Sequence, residues 1–248
     1  AKPWQMNFQE PASPVMERLI NMHDNLLIMC FVISLFVLAL LIYVCIRFSK
    51  KNNPVPSKTT HNALIEVIWT ALPVMILVAI IIPSWRLIGY MDKAENAEIT
   101  IKAIGYQWYW GYEYMDGPGK GIAFEAYMKD ENATDPSLKL QEGEPRLLAT
   151  DNKVVLPVDT DIRILTTAAD VIHGFAVPAF GIKIDAIPGR TNETWVRITK
   201  EGTFYGQCSE LCGSKHAFMP IEVHAVSKQE YLAWVKEQGG SVEAAKTE

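Results

Sequence analysis

The sequence predicts a two-helix transmembrane hairpin followed by an all-β sandwich with a short C-terminal helix. Three observations predict it. Two uncharged, strongly apolar runs, residues 26–46 and 67–85, lie in the first third of the chain. As helices, both are long enough to cross a bilayer core of ~30 Å. From residue 97 onward the apolar period falls to two, in short runs separated by Gly, Pro, Asp and Asn, the pattern of a sandwich or barrel. Finally, Ser227 followed by Glu230 forms a capping box, which starts a helix running to about residue 238.

Residues 1–24 hold three prolines and no sustained periodicity. They predict an extended segment leading into a short helix over 15–22. No secretory signal is visible, and the chain begins with Ala1 rather than Met, so a leader is expected to have been removed. Arg47, Lys50 and Lys51 end the first apolar run and Lys58 follows them. Pro73 and Pro83 interrupt the second, which membrane helices tolerate better than soluble ones. A buried hairpin in a soluble protein is the competing reading, and the run lengths oppose it. The cations between the spans put that loop in the cytoplasm or matrix, with both termini on the other side.

In the second part, Ile99, Ile101 and Ala103 alternate with their neighbours. Further strand-like runs cover 105–114, 146–150, 153–158, 161–167, 194–198, 203–205 and 221–225. Residues 115–145 are acidic and irregular, with a Gly-rich turn at 117–121, and read as a surface insertion. The tail after Gly239 and Gly240 reads as disordered. The expected division is an extracytoplasmic segment (1–24), a transmembrane hairpin (25–90), a sandwich domain (91–226), and a C-terminal helix and tail (227–248).

Residues 1–90 carry seven basic and four acidic side chains, whereas 91–226 carry thirteen and twenty. The acidic excess of the second part argues against nucleic acid and for a basic partner. Ordinary solubility charge is the plainer explanation. Four cysteines are too few for a disulfide framework in 248 residues. Cys30 and Cys45 sit in the first apolar run, where cysteine behaves as a small hydrophobe.

The other two cysteines lie in residues 206–220, GQCSELCGSKHAFMP, where Cys208, Cys212, His216 and Met219 follow the spacing C-x3-C-x3-H-x2-M. Two thiols, an imidazole and a thioether in one loop favour copper over hard ions. Zinc would accept the Cys and His but has little use for the Met, and a structural disulfide is a third reading. A second imidazole, His173, lies upstream between two strand-like runs. Two Cys and two His are one Cys too many for a blue-copper site. If both thiolates bridge two coppers, each metal receives two sulfurs and one imidazole. Met219 can then cap one copper, and a carbonyl of the Ser209–Glu210–Leu211 turn the other.

These residues resemble a known family. GQCSELCG-x2-H-x2-MP, the stretch DVIHGFAVPAFGIKIDAIPGR (170–190) and YQWYWGYEY (106–114) are similar to subunit II of haem–copper cytochrome c oxidases, over about residues 3–235. The resemblance implies a cupredoxin-like sandwich and a dinuclear copper centre, CuA. Its ligands would be His173, Cys208, the Glu210 carbonyl, Cys212, His216 and Met219. It implies electron transfer from cytochrome c through CuA to haem in subunit I, where oxygen is reduced to water with proton pumping, and further association with subunit III. It places the copper domain on the periplasmic side of a bacterial inner membrane, or on the intermembrane-space side of a mitochondrial one.

Other residues gain expected roles from the same resemblance. Trp108 would lie between the docked cytochrome and copper. Strand alternation alone would put Trp108 and Trp110 on one face, where aromatic clusters usually pack a core. Glu66, at the inner mouth of the second span, would mark the entrance to a proton path in subunit I. A snorkelling surface carboxylate is the alternative. The Glu210 carboxylate would bind a magnesium ion shared with subunit I. Asp170, three residues before His173, is expected near the cytochrome contact. His23, His61 and His224 stand alone and are taken as structural. A membrane-anchored copper chaperone also carries C-x3-C and a distant His, but its helical periods are missing from 97–226.

Overall fold

The computed structural model describes residues 2, 4–92 and 96–242; residues 243–248 of the tail expected to be disordered lie outside them. The chain divides into two units, Leu19–Ile88 and a second made of Ala1–Arg18 with Gly89–Glu248.

Two helices build the first unit. Helix α1 (Pro14–Arg47) has 34 residues and α2 (Ala63–Asp92) has 30, about 50 and 45 Å at ~1.5 Å per residue. The short helix expected over 15–22 is instead the start of α1, because His23, Asp24 and Asn25 are polar but do not break a helix. Large apolar side chains, such as Phe31, Phe36 and Ile42 on α1 and Trp69, Leu77 and Ile82 on α2, are exposed. In water that surface would be costly; in lipid it is the required one. α2 continues through Pro73 and Pro83. At its start, Asn62 accepts the N–H groups of Leu64 (3.1 Å) and Ile65 (3.2 Å), while Glu66 accepts the N–H of Asn62 at 3.2 Å. Three backbone donors that the first turn cannot satisfy are thereby paired.

The second unit is the sandwich. Strands β1 (Ile99–Tyr106), β2 (Tyr109–Asp116), β3 (Ala123–Ala126), β5 (Asp161–Ala168) and β8 (Asn192–Arg197) form one sheet in the order β3-β2-β1-β5-β8. Strands β4 (Val154–Pro157), β9 (Gly202–Gln207) and β10 (Pro220–Val226) form a second, ordered β4-β10-β9. Strands β6 (His173–Val177) and β7 (Ile182–Ala186) pair with each other. Alternation decides what is inside: Ile99, Ile101 and Ala103 of β1, Trp110, Tyr112 and Tyr114 of β2, and Ile221, Val223 and Ala225 of β10 share one core. Helix α3 (Lys228–Glu237) starts at the expected Ser227–Glu230 capping box and buries Tyr231 and Val235.

Four local expectations change. The run 105–114 is two strands, which reverse at Gln107 and Trp108 and pair Tyr106 with Tyr109. Trp108 therefore sits in a turn and does not share a strand face with the buried Trp110. Residues 146–150 make only an isolated bridge, Thr150 to Met128. The insertion contains β3, and the stretch after Asp170 contains the β6–β7 pair. Gly and Pro at 174, 178 and 181 obscure the strand pattern there.

The N-terminal segment belongs to this unit. Ala12 donates to the Ala179 carbonyl and accepts from Thr199 N, both at 2.9 Å. The buried Ser13 hydroxyl donates to the Phe180 carbonyl (2.7 Å) and accepts from Met16 N (3.0 Å). In the same unit, the Arg18 guanidinium lies 3.5 Å from the centre of the Tyr90 ring, and the Trp195 indole donates to the Tyr90 carbonyl at 2.8 Å.

Candidate metal centre

Strands β9 and β10 are antiparallel neighbours, with Gln207 opposite Pro220. The intervening residues form a loop with both ends pinned, which folds Cys208 beside Met219. His173 comes from elsewhere, as the first residue of β6. The loop is stitched to that strand by the Ser209 N–H, which donates to the Gly174 carbonyl at 2.9 Å. Gly105 leaves space for the His173 ring: a Cβ there would stand 2.7 Å from its Cδ2. The Trp110 ring meets His173 edge-on at 6.0 Å, and its indole donates to the Met219 carbonyl at 3.2 Å.

The two cysteine sulfurs are 3.9 Å apart. His173 Nδ1 lies 3.9 Å from Cys208 Sγ, and His216 Nδ1 lies 3.7 Å from Cys212 Sγ. Met219 Sδ is 3.6 Å from Cys212 Sγ, and the Glu210 carbonyl oxygen is 3.3 Å from Cys208 Sγ. Ligand atoms of His173, Cys208 and Cys212 all fall within 4.8 Å of one another, and all three residues are buried. Both cysteines are free. Metal–sulfur bonds of about 2.3 Å let a single ion reach both sulfurs, so the donor set fits a metal. A thioether beside the thiols suits copper better than zinc.

His173 is fully buried, and its Nε2 lies 2.9 Å from Asp170 Oδ1. A carboxylate only accepts, so Nε2 carries the proton and Nδ1 is left with its lone pair towards the sulfurs. Asp170 also accepts from Val171 N (2.6 Å) and Gln107 N (2.7 Å). Partial burial raises its carboxyl, but these hydrogen bonds outweigh it and hold the group below its usual range. Burial likewise opposes charge on His173, yet hydrogen bonds to Cys208 and Asp170 hold it above its usual value. The Cys208 thiol is raised by burial and lowered more strongly by hydrogen bonding to His173 and the backbone, to about 6. Burial, then the neighbouring Cys208, push Cys212 up to about 12.

All six expected ligands therefore converge. Trp108 is half-buried and reaches the same loop, its indole donating to the Cys212 carbonyl at 3.3 Å. The Glu210 side chain is exposed. Glu66 belongs to the helical unit. Gln107 was not foreseen: its side-chain amide donates to the Cys212 carbonyl at 2.8 Å. Nothing in its residue type signals this.

The family model for the periplasmic domain of cytochrome c oxidase subunit II matches residues 99–226, and the one for its transmembrane domain matches residues 1–87. The chain belongs to the cytochrome c oxidase subunit II family. A probable cytochrome c oxidase subunit 2 of Rickettsia bellii is 53% identical over 234 residues, covering 94% of this chain and 84% of that protein. The Phytophthora megasperma cytochrome c oxidase subunit 2 is 46% identical over 239 residues, covering 95% and 88%. The crystal structure of the periplasmic domain of subunit II of cytochrome oxidase (CoxB) from Bradyrhizobium japonicum superposes with a TM-score of 0.52 at 50% identity. It covers 59% of this chain and 97% of that one. As a subunit II, the chain is a membrane protein and part of a cytochrome c oxidase, an oxidoreductase. Its His–Cys–Cys cluster is a copper-binding one.

Proposed function

We propose that this subunit II is the electron-entry point of its oxidase. It takes electrons one at a time from cytochrome c at a dinuclear CuA centre and passes them to haem in subunit I. Oxygen is reduced there to water, with protons pumped. The observation that carries the reading is two free thiols 3.9 Å apart with an imidazole nitrogen within 3.9 Å of each. Two thiolates this close, each with its own imidazole, would suit a pair of copper ions. His173, Cys208, Cys212 and His216 would hold the pair, with Met219 and the Glu210 carbonyl as the weaker fifth and sixth donors. Copper bound there supplies a one-electron store.

The protein around it does the rest. The Trp108 indole, bonded to the Cys212 carbonyl, offers the donor a flat aromatic contact one hydrogen bond from the ligand backbone. Asp170 keeps the His173 tautomer; about a third of its side chain remains exposed, enough to meet a basic cytochrome. The exposed Glu210 carboxylate is suited to a magnesium ion shared with subunit I, a hard ion on a hard donor. Glu66, half-buried at the start of α2, is assigned to the mouth of a proton path in subunit I. Subunit III completes the assembly. The loop cations favour the cytoplasmic side for residues 48–62, which would turn the copper domain towards the periplasm of a bacterial inner membrane. In a mitochondrion it would face the intermembrane space.

Metal analysis and electron paramagnetic resonance on the full chain test this. Two coppers per chain, sharing one unpaired electron when oxidised, are expected. One copper per chain, or zinc in its place, sinks the dinuclear reading. Cys208→Ser and Cys212→Ser should each abolish the shared-electron signal.

A further inference from the structure

Five of the six expected ligands ride on the loop between β9 and β10, and the sixth rides on β6. The cage is therefore only as well defined as the placement of loop against strand. One tie between them is direct, from Ser209 to Gly174. A second runs through neither. It passes through the β1–β2 turn, and one residue carries both of its ends. The backbone N–H of Gln107 donates to Asp170 Oδ2 at 2.7 Å, and the other oxygen of that carboxylate holds His173 Nε2 at 2.9 Å. The side-chain amide of Gln107 donates to the Cys212 carbonyl at 2.8 Å. The turn and the loop are in close contact here: a Cβ on Gly213 would stand 3.2 Å from Gln107 Nε2 and 3.0 Å from the Trp108 ring.

We propose that Gln107 is a positioning residue of the copper site, joining the His173 side of the cage to the Cys212 side across the aromatic turn. It touches no ligand atom. Its backbone bond fixes the carboxylate that orients one imidazole, and its side-chain bond fixes the peptide that carries one thiolate. A second effect follows from sharing. The Cys212 carbonyl accepts from both Gln107 and the Trp108 indole, so Gln107 also holds the acceptor on which the placement of Trp108 depends. The side chain is exposed; an incidental surface hydrogen bond would leave the loop unchanged when removed.

The inference rests on the CuA reading, and its test separates the two. Gln107→Met keeps the length of the side chain and the backbone N–H but removes the amide donor. In the full chain without metal, amide exchange across residues 208–213 should quicken about tenfold, the size expected for losing one net hydrogen bond. The melting temperature of the sandwich should stay within a few degrees, roughly the shift that one such bond produces. Gln107→Lys restores a donor and should return exchange towards the native rate. With copper loaded, the hyperfine pattern and visible band of Gln107→Met should shift, while Gln107→Lys stays closer to native. Unchanged exchange in Gln107→Met overturns the role assigned to Gln107, whatever metal binds. A native chain that fails to take up two coppers overturns the CuA reading instead, and leaves exchange to decide on Gln107.

Discussion

Trp108 and Trp110 stand two residues apart and meet different fates. Trp110 is fully buried, edge-on to both His173 and Phe175. Trp110→Ala should cost ~3–5 kcal/mol of stability, the range for emptying an aromatic core position, and should disturb the copper spectrum through His173 and Met219. Trp108 lies half-exposed in the turn. Trp108→Ala should slow electron transfer from bound cytochrome c by orders of magnitude, with the copper spectrum shifted no more than in Gln107→Met and the melting temperature nearly native. Flash-initiated transfer rates beside a thermal melt decide both. An undiminished rate would remove Trp108 from the path. The expected donors were legible in the sequence, because soft donors are rare and four of them, Cys208, Cys212, His216 and Met219, fall within twelve residues. Gln107 and the inward use of Asp170 were not, since common polar residues acquire such roles only from what the fold sets beside them.

At the scale of elements, helices and strands differed in how plainly they announced themselves. Both spans were legible from length alone, and α3 from its capping box. The β1–β2 reversal was hidden because its turn uses Gln and Trp instead of Gly or Asn, and is held by bonds to distant residues. The insertion is more ordered than its composition suggests. Lys129, nearly buried, donates to Glu144 at 2.7 Å, and Gln141 N donates to the same carboxylate at 2.9 Å. Burial raises the Glu144 carboxyl, yet the Lys129 and Gln141 hydrogen bonds outweigh it and hold the group below its usual value. A depressed carboxylate stabilises the fold above its unfolded pKa of about 4.3, and that contribution disappears as pH falls through the folded value. Limited proteolysis within 129–145 should therefore accelerate below about pH 4 in the native chain. Lys129→Met should be cut faster at pH 6 and respond less to acid. Equal acid sensitivity in both would refute this account of the insertion.

Across the whole molecule, the helical unit is an insertion between two parts of the other unit, Ala1–Arg18 and Gly89–Glu248. Residues 10–13 bond to the sandwich: Lys200 reaches Glu10 at 2.6 Å, and Ala12 and Ser13 bond to residues 179, 180 and 199. With two helices of spanning length between these parts, both ends of the hairpin leave the membrane on one face, and the cationic loop takes the other. A cysteine at Asn53 should be labelled by an impermeant reagent only from the cytoplasmic or matrix side; labelling of intact cells from outside would invert the topology. The bonds of the N-terminal strap also carry a consequence for timing. Ser13 and its acceptor Phe180 are separated by 167 positions, so a ribosome has made both apolar spans and more than half of the sandwich, strands β1 to β6, before that partner exists. Until then the strap must wait unclasped, and its docking joins the first residues made to a part of the chain made long after both spans.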